Sequence, residues 1–290
     1  MKDLTIRTIT GLIFVAVIVG CILYSPVSYV IVFLILCGLT TWEFCTLINK
    51  HLNCQINKFI TTTASAYLFV AITAFNTNVT GAEILFIPYL ITLVYLLISE
   101  LYFKNNNVLM NWAFSMMSQL YIGLPFALLS TLSFIGVNKG YGENFVIYNP
   151  VFTMSVFAFI WLGDTSAYIF GTKFGKHRLF KCISPKKSWE GTIAALITAV
   201  IISQVIATFC NDFNPNNDLI NRIAWAGLGL LVVGFGTWGD LVESLIKRKI
   251  GVKDSGAILP GHGGFLDRFD SSLIAIPIAV IYIYTLNQFM

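Results

Sequence analysis

Acidic residues at the end of one apolar segment and at the start of the next have the spacing of a metal site. If the first segment stays helical, four polar residues at i, i+3, i+4 and i+7 share one face: Asp240, Glu243, Ser244 and Lys247. Asp267 and Asp270 share a face at i, i+3 in the same way. Carboxylate oxygens without soft cysteine ligands suit Mg²⁺ that is held together with phosphate oxygens. The pattern therefore predicts a magnesium site where the two helix ends approach each other.

The loop between these segments carries groups that bind anions. The glycines of the loop, Gly261, Gly263 and Gly264, have no Cβ to keep a phosphate away, and their N–H groups can donate to anionic oxygen. Positive charge comes from four residues: Lys247, Arg248, Lys253 and Arg268. Acidic residues, basic residues and glycines together are typical of metal-assisted phosphoryl or nucleotidyl transfer.

Simpler interpretations of the same residues stay open. Asp267 and Asp270 can instead pair with Arg268 and Lys253 as salt bridges at the membrane interface. His262 can be an ordinary loop histidine, and with no second histidine nearby a zinc site is disfavoured. The glycines that precede Asp240 are better explained by close helix packing than by ligand binding: Gly227, Gly229, Gly234, Gly236 and Gly239.

A second polar region lies earlier in the chain. Asp164 falls within an otherwise apolar segment, where a carboxylate needs a partner or an ion. Lys186 and Lys187 crowd one turn before a helix that Ser188 or its neighbours can cap. Crowded lysines suit an anionic ligand, although a basic loop can also be a plain cytoplasmic anchor.

Composition identifies the scaffold as a membrane protein. Hydrophobic residues make up 57% of the 290 and charged residues only 11%, against about 25% charged in soluble domains. These values exclude a soluble globule, a disordered chain and a disulfide scaffold, and the six cysteines act as small hydrophobic residues. Nine apolar segments are long enough to span a membrane: 9–24, 27–48, 59–76, 84–103, 112–135, 151–171, 189–210, 222–240 and 268–288.

The basic residues predict how the chain is threaded. With the N-terminus in the cytoplasm, all of the 18 Lys and Arg residues except Lys139 and Arg222 fall on the inner side. Nine spans then place the C-terminus outside. The net charge of +4 follows from this topology and requires no nucleic acid partner. We expect a bacterial inner membrane, a scaffold over 1–150, and a catalytic region over 151–290 with cytoplasmic loops 171–188 and 241–267.

Two further carboxylates lie near membrane depth. Glu43 occurs in the second apolar segment and Glu100 near the end of the fourth. Burying an acid there is costly, by about 2.5 to 3.5 kcal/mol for Asp on insertion scales. Glu100 can reach the interface, whereas for Glu43 the sequence leaves open an interfacial position or a role inside the bundle.

The run from Ser244 to Asp270 resembles the signature of the phosphatidate cytidylyltransferase (CDP-diacylglycerol synthase) family, with no departure from its pattern. The segment around Asp164 and the run from Ser184 to Gly191 are also similar, with Ser188 where threonine is frequent. The resemblance implies an all-α membrane enzyme that condenses CTP with phosphatidic acid to give CDP-diacylglycerol and pyrophosphate. It also implies Mg²⁺, a second cation such as K⁺, and a homodimer.

On this interpretation each polar group has an expected role. Asp240, Asp267 and Asp270 would hold Mg²⁺, with Asp254 as a further ligand or as a support for the ligands. The phosphates would be neutralised by four basic side chains: Lys247, Arg248, Lys253 and Arg268. His262 would shape the loop. The remaining pocket residues are expected to be Asp164, Lys186, Lys187, Ser244, Gly263 and Gly264.

Three rival functions are weighed against this one. A transporter would spread its acids toward the membrane midplane and show internal repeats. An enzyme that consumes CDP-diacylglycerol would carry an Asp-x-x-x-Asp helix pattern, whereas Asp267 and Asp270 are three residues apart. A structural scaffold leaves the dense polar loops unexplained.

Overall fold

The computed structural model describes residues 2–103, 107–138, 144–256 and 263–289. The α-helices in chain order are α1 (Lys2–Tyr24), α2 (Pro26–His51), α3 (Lys58–Asn76), α4 (Phe86–Tyr102), α5 (Val108–Ser118), α6 (Leu124–Ser133), α7 (Val151–Phe174), α8 (Trp189–Phe209), α9 (Asp218–Ile250) and α10 (Leu266–Phe289). A 3₁₀ turn (Ala82–Leu85) precedes α4, and a π-helical turn (Gln119–Gly123) joins α5 to α6.

Two short antiparallel hairpins interrupt the helices. In the first, β1 (Phe134–Asn138) pairs with β2 (Asn144–Tyr148). In the second, β3 (Arg178–Phe180) pairs with β4 (Ser184–Ser188) through an irregular register. The second hairpin lies within the predicted cytoplasmic loop 171–188.

The prediction of an all-α polytopic membrane protein is confirmed. Among the described residues, eight helical stretches are long and apolar enough to cross a membrane: Pro26–His51, Lys58–Asn76, Ala82–Tyr102, Val108–Ser133, Val151–Phe174, Trp189–Phe209, Asp218–Ile250 and Leu266–Gln288. The first predicted segment corresponds to a shorter apolar helix, Ile9–Tyr24. The total of nine spans and the sides on which the termini lie stay predictions.

Helix α9 runs to Ile250, well past the expected boundary at 240. No glycine or proline interrupts the chain between Asp240 and Ile250, so nothing breaks the helix there. Gly251 then takes a φ of +82°, the left-handed conformation that commonly ends a helix. The first part of the predicted loop 241–267 is therefore helical, as the face shared by Asp240 and Lys247 requires.

The chain packs as two compact units. The first comprises Met1–Pro150 and Lys249–Phe269. Its core contains large aromatic side chains that are fully buried, among them Tyr29, Phe33 and Phe126. Ser25 begins α2 with a reciprocal capping box to Ser28, which satisfies amide groups at the helix start.

The second unit comprises Val151–Arg248 and Asp270–Met290. Its core is built around Trp225, which is fully buried, stacks on Phe152 at 5.3 Å and meets Phe213 edge-on at 5.0 Å between ring centroids. The Tyr282 hydroxyl donates to the Ala224 carbonyl at 3.0 Å, which ties α10 to α9.

Candidate active site

Three carboxylates meet in the second unit. Among the described residues, Asp240, Glu243 and Asp270 each offer an oxygen, and these oxygens lie within 4.8 Å of one another. The first two occupy adjacent turns of α9, and the third lies in the first turns of α10. Glu243 has no solvent exposure. Oxygen-only donors at this spacing can bind a metal ion.

A glycine brings the two helices into register for this cluster. A Cβ at Gly239 would lie 2.6 Å from the Asp270 carbonyl oxygen and 3.0 Å from that of Ser271. Because only a residue without a side chain tolerates this approach, α9 and α10 meet directly beside Asp240. Close packing also occurs at Gly227 and Gly229, which confirms the packing interpretation of these two glycines. At Gly236 a Cβ would make only ordinary van der Waals contacts, and at Gly234 it would meet nothing within 4 Å, so the packing interpretation is wrong for Gly234.

We expect Gly239→Ala to destabilise the second unit by about 1 to 3 kcal/mol, because the added methyl group overpacks the contact between the helices. The matched control is Gly234→Ala on the same helix, where a Cβ would meet nothing within 4 Å. Thermal unfolding of the two variants in detergent measures the difference. Equal melting temperatures would show that the approach at Gly239 is not tight.

Two lysines neutralise part of the carboxylate cluster. Lys187 Nζ lies 2.5 Å from Asp240 Oδ2 and donates to the Thr237 carbonyl at 3.3 Å. Lys247 forms an i, i+4 ion pair with Glu243 on α9. Three neighbouring carboxylates repel one another, and burial adds to the free-energy cost of their charges. The two ammonium groups lower that cost.

The second hairpin presents the lysines to the cluster. Ser188, the last residue of β4, caps α8 by accepting from the Gly191 amide at 3.2 Å. Glu190 in the first turn of α8 accepts from the His177 amide at 3.1 Å and lies 2.7 Å from His177 Nδ1. The hairpin is thus tied to the helix at its base, with Lys186 and Lys187 on the strand between.

A cavity of about 250 Å³ opens beside Asp240 within the same unit. Its polar lining includes Asp164, Lys186, Lys187 and Asp240. Its apolar lining includes Ile160, Ala195 and Val233. The polar wall carries two lysines and two aspartates opposite apolar side chains, so the cavity can bind an amphiphilic ligand with a charged head group. The structure therefore brings residues of both predicted polar regions to one cavity.

Asp267 lies in the first unit, where its carboxylate organises the loop before α10. Asp267 Oδ2 accepts from the Ser255 amide at 3.0 Å, the Ser255 hydroxyl at 2.9 Å and the Gly264 amide at 2.8 Å. Gly263 takes a φ of +80°, which favours glycine. The Gly264 amide, predicted to face a phosphate, thus donates to Asp267. A metal site shared by Asp240, Asp267 and Asp270 stays a prediction.

The other predicted residues have these positions. Lys253, Asp254 and Arg268 are exposed in the first unit, and Arg248 is exposed at the end of α9. The Ser244 hydroxyl donates to Asp240 Oδ1 at 3.2 Å. His262 and Gly261 lie outside the described residues.

Residue-by-residue reasoning missed two groups that the structure brings to these sites. Glu243 shares the face of Asp240, but the hypothesis did not include it among the ligands, although its i, i+3 spacing was the available signal. Ser255 contacts the carboxylates of both Asp267 and Glu43. No spacing rule predicts that contact, because Glu43 is far away in the sequence.

Comparison with known proteins adds an independent finding. Over 175 residues the chain is 41% identical to a phosphatidate cytidylyltransferase of Staphylococcus haemolyticus (strain JCSC1435). It is 42% identical over 177 residues to that of Staphylococcus aureus (strain COL), and 38% identical over 175 residues to that of Staphylococcus epidermidis (strain ATCC 35984). Each alignment covers 60% of this chain and 60% of the relative. The sequence pattern of the Cytidylyltransferase family matches residues 5–286, and the chain belongs to that family.

Proposed function

We propose that the protein is a phosphatidate cytidylyltransferase, which transfers CMP from CTP to phosphatidic acid and releases pyrophosphate. The observation that carries this proposal is the carboxylate cluster beside a cavity with one wall of lysines and aspartates and one apolar wall, in a chain of the Cytidylyltransferase family. The relatives in staphylococci carry the same enzyme name. A phosphate and acyl chains are the two parts of phosphatidate that such walls would bind.

The donor set fits Mg²⁺. All three groups in the cluster are carboxylates, the hard ligands that Mg²⁺ prefers, and no thiol or imidazole is among them. The oxygens of Asp240, Glu243 and Asp270 lie within 4.8 Å of one another, so these three side chains would be able to hold one cation between them. We propose Asp240, Asp270 and Asp267 as ligands, with Glu243 as an additional one. When bound, the ion would neutralise phosphate oxygens; K⁺ is proposed as a second cation.

The reaction requires no protein nucleophile. An oxygen of the phosphatidate phosphate attacks the α-phosphorus of CTP, and the bond from that phosphorus to the pyrophosphate oxygen breaks. Both reactants are polyanions, so the protein's task is to hold them together and stabilise the charge on the leaving group. Lys186 and Lys187, which line the cavity, would bind phosphate oxygens there. Lys247 holds Glu243 in position within the cluster.

We propose that this chemistry occurs at the cytoplasmic face of a bacterial inner membrane, and that the enzyme acts as a homodimer. The charge distribution supports the first proposal, since nearly all basic residues fall on one side of the predicted topology. Phosphatidate would reach the cavity from the bilayer, and CTP from the cytoplasm.

Product analysis tests the proposed activity. Detergent-purified protein is mixed with CTP, phosphatidate and Mg²⁺, and CDP-lipid and pyrophosphate are measured in parallel. We expect equimolar products only when all three components are present. Failure of the folded protein to form CDP-lipid would contradict the proposal. Movement of a solute across vesicle membranes without CTP would instead favour a transporter.

We expect Lys187→Met to lower CDP-lipid synthesis by about 10- to 100-fold. The variant removes an ammonium group that lines the cavity and pairs with Asp240. The Michaelis constant of at least one phosphate substrate should rise. Lys181→Met, at an exposed position in the turn of the same hairpin, is the control and should retain activity. Equal activities of the two variants would exclude Lys187 from substrate binding.

A further inference from the structure

The buried carboxylate of Glu43, in α2, binds the segment that leads into α10. Only 4% of Glu43 is exposed. Its Oε2 accepts from the Phe265 amide at 2.8 Å, and its Oε1 accepts from the Leu266 amide at 3.3 Å and from the Ser255 hydroxyl. The three donors satisfy a charge that would otherwise be costly to bury. Glu43 is therefore a buried, fully hydrogen-bonded carboxylate inside the first unit.

These contacts make Glu43 a cap for α10. Leu266 is the first residue of that helix, and the amide groups at a helix start have no partners within the helix. A carboxylate there accepts hydrogen bonds and also interacts favourably with the positive end of the helix dipole. Capping groups usually come from the residue just before the helix. Here the cap comes from a distant helix, so it fixes the start of α10 relative to α2 within the first unit.

Glu43 and Asp267 share the residues that hold them. Ser255 donates to Glu43 through its hydroxyl and to Asp267 through its amide, and the adjacent amides of Gly264 and Phe265 go to Asp267 and Glu43 respectively. Each carboxylate is thus oriented by the same two stretches of backbone. Displacement of these stretches from one carboxylate would alter the hydrogen bonds of the other.

The packing around Glu43 is tight enough to transmit such a displacement. A Cβ at Gly256 would lie 2.9 Å from Glu43 Cδ, and a Cβ at Gly264 would overlap the carboxylate itself. Glycine is therefore required at both positions to let the backbone reach Glu43. The approach to Glu43 thus accounts for the glycine at 264 without a bound phosphate.

We propose that Glu43 is a positioning residue for Asp267, and that through Asp267 it sets the enzyme's requirement for divalent metal. This inference rests on the proposed function, since Asp267 is expected to bind the metal there. Glu43 itself touches neither substrate nor metal in the proposal. Its action is to hold the Ser255 and Gly264–Leu266 backbone so that the Asp267 carboxylate keeps its orientation.

The test replaces Glu43 with Gln and measures two properties. Glutamine keeps the shape but offers one acceptor oxygen, so an amide donor at the helix start loses its partner. In hydrogen-exchange mass spectrometry without added metal, we expect the amides of 264–266 to exchange about tenfold faster, the scale of one lost charge-assisted hydrogen bond. In CDP-lipid synthesis, we expect the half-saturating Mg²⁺ concentration to rise about tenfold, with kcat at saturating Mg²⁺ changed less than about threefold.

The matched control is Glu100→Gln. Glu100 also lies on a membrane-segment helix of the first unit and accepts from Asn111 Nδ2 at 3.0 Å, away from the 255–267 loop. We expect its exchange rates at 264–266 and its Mg²⁺ requirement to match the unsubstituted protein. A merely structural role of Glu43 would lower the amount of active enzyme in Glu43→Gln without moving its Mg²⁺ requirement.

Each outcome decides the inference. If the Mg²⁺ requirement of Glu43→Gln is unchanged, or shifts no more than that of Glu100→Gln, the inference is overturned, whether or not amide exchange at 264–266 is faster. If Glu43→Gln fails to fold, Glu43→Asp, which keeps the charge on a shorter side chain, takes its place: faster exchange at 264–266 with a raised Mg²⁺ requirement supports the inference, and unchanged values overturn it. If the unsubstituted protein makes no CDP-lipid, the proposed function fails, while the exchange data still decide whether Glu43 caps α10.

Discussion

Replacing Asp270 with Asn should lower CDP-diacylglycerol synthesis by about 100-fold or more, the scale of removing one electrostatic group from a catalytic site. Asp270 is the carboxylate that α10 contributes to the cluster with Asp240 and Glu243. Asparagine has nearly the same shape and can still accept from the Ser271 amide, which lies 2.6 Å from Asp270 Oδ1. The loss should therefore come from the missing ligand charge for the proposed metal ion, and not from unfolding.

The matched control for this variant is Asp218→Asn. Asp218 begins α9 and pairs with Arg222 at 2.8 Å, an exposed i, i+4 ion pair that contributes little to stability. Initial rates with CTP and phosphatidate, together with melting temperatures of both variants, separate catalysis from folding. A fully active Asp270→Asn enzyme would remove the cluster from the reaction.

Replacing Asp267 with Asn should also lower activity by about 100-fold, if this residue binds the metal as proposed. The carboxylate oxygen Oδ2 accepts from three donors of the loop, and an amide oxygen in its place can still accept from them. The loop should therefore stay ordered while the ligand charge is lost. Amide exchange of 264–266 measures the first property, and the half-saturating Mg²⁺ concentration measures the second.

This variant distinguishes two roles for Asp267. If it only orders the loop, the Asn variant keeps most of its activity and its Mg²⁺ requirement, and the metal site then consists of the cluster in the second unit. If it binds metal, activity falls although amide exchange at 264–266 stays near that of the unsubstituted protein. Asp218→Asn is again the control for the loss of one carboxylate away from the cluster, and it should keep both its activity and its Mg²⁺ requirement.

Much of the second unit's site follows from local periodicity. Asp240, Glu243 and Lys247 share a face because an α-helix repeats every 3.6 residues, and the chain contains no residue that breaks α9 before Gly251. The sequence pattern also predicted the helix cap at Ser188, since a serine before a helix offers an acceptor to free amides.

Other features depended on contacts that no spacing rule contains. Lys187 meets Asp240 through packing between the second hairpin and α9, and its side chain is long enough to have reached other partners. The sequence likewise left the role of Glu43 undecided, because hydropathy measures the cost of burying a carboxylate but not the donors that offset it.

The amino-acid sequence by itself determined that this chain is a helical membrane protein with two late regions that are dense in charged residues, because apolar length and helical periodicity are local properties. The tertiary structure decided which charges meet. It placed Glu243 with Asp240 and Asp270, and it placed Glu43 at the start of α10. The physical reason is that hydrogen bonds and ion pairs act over a few ångströms, and only the folded chain brings distant residues within that range.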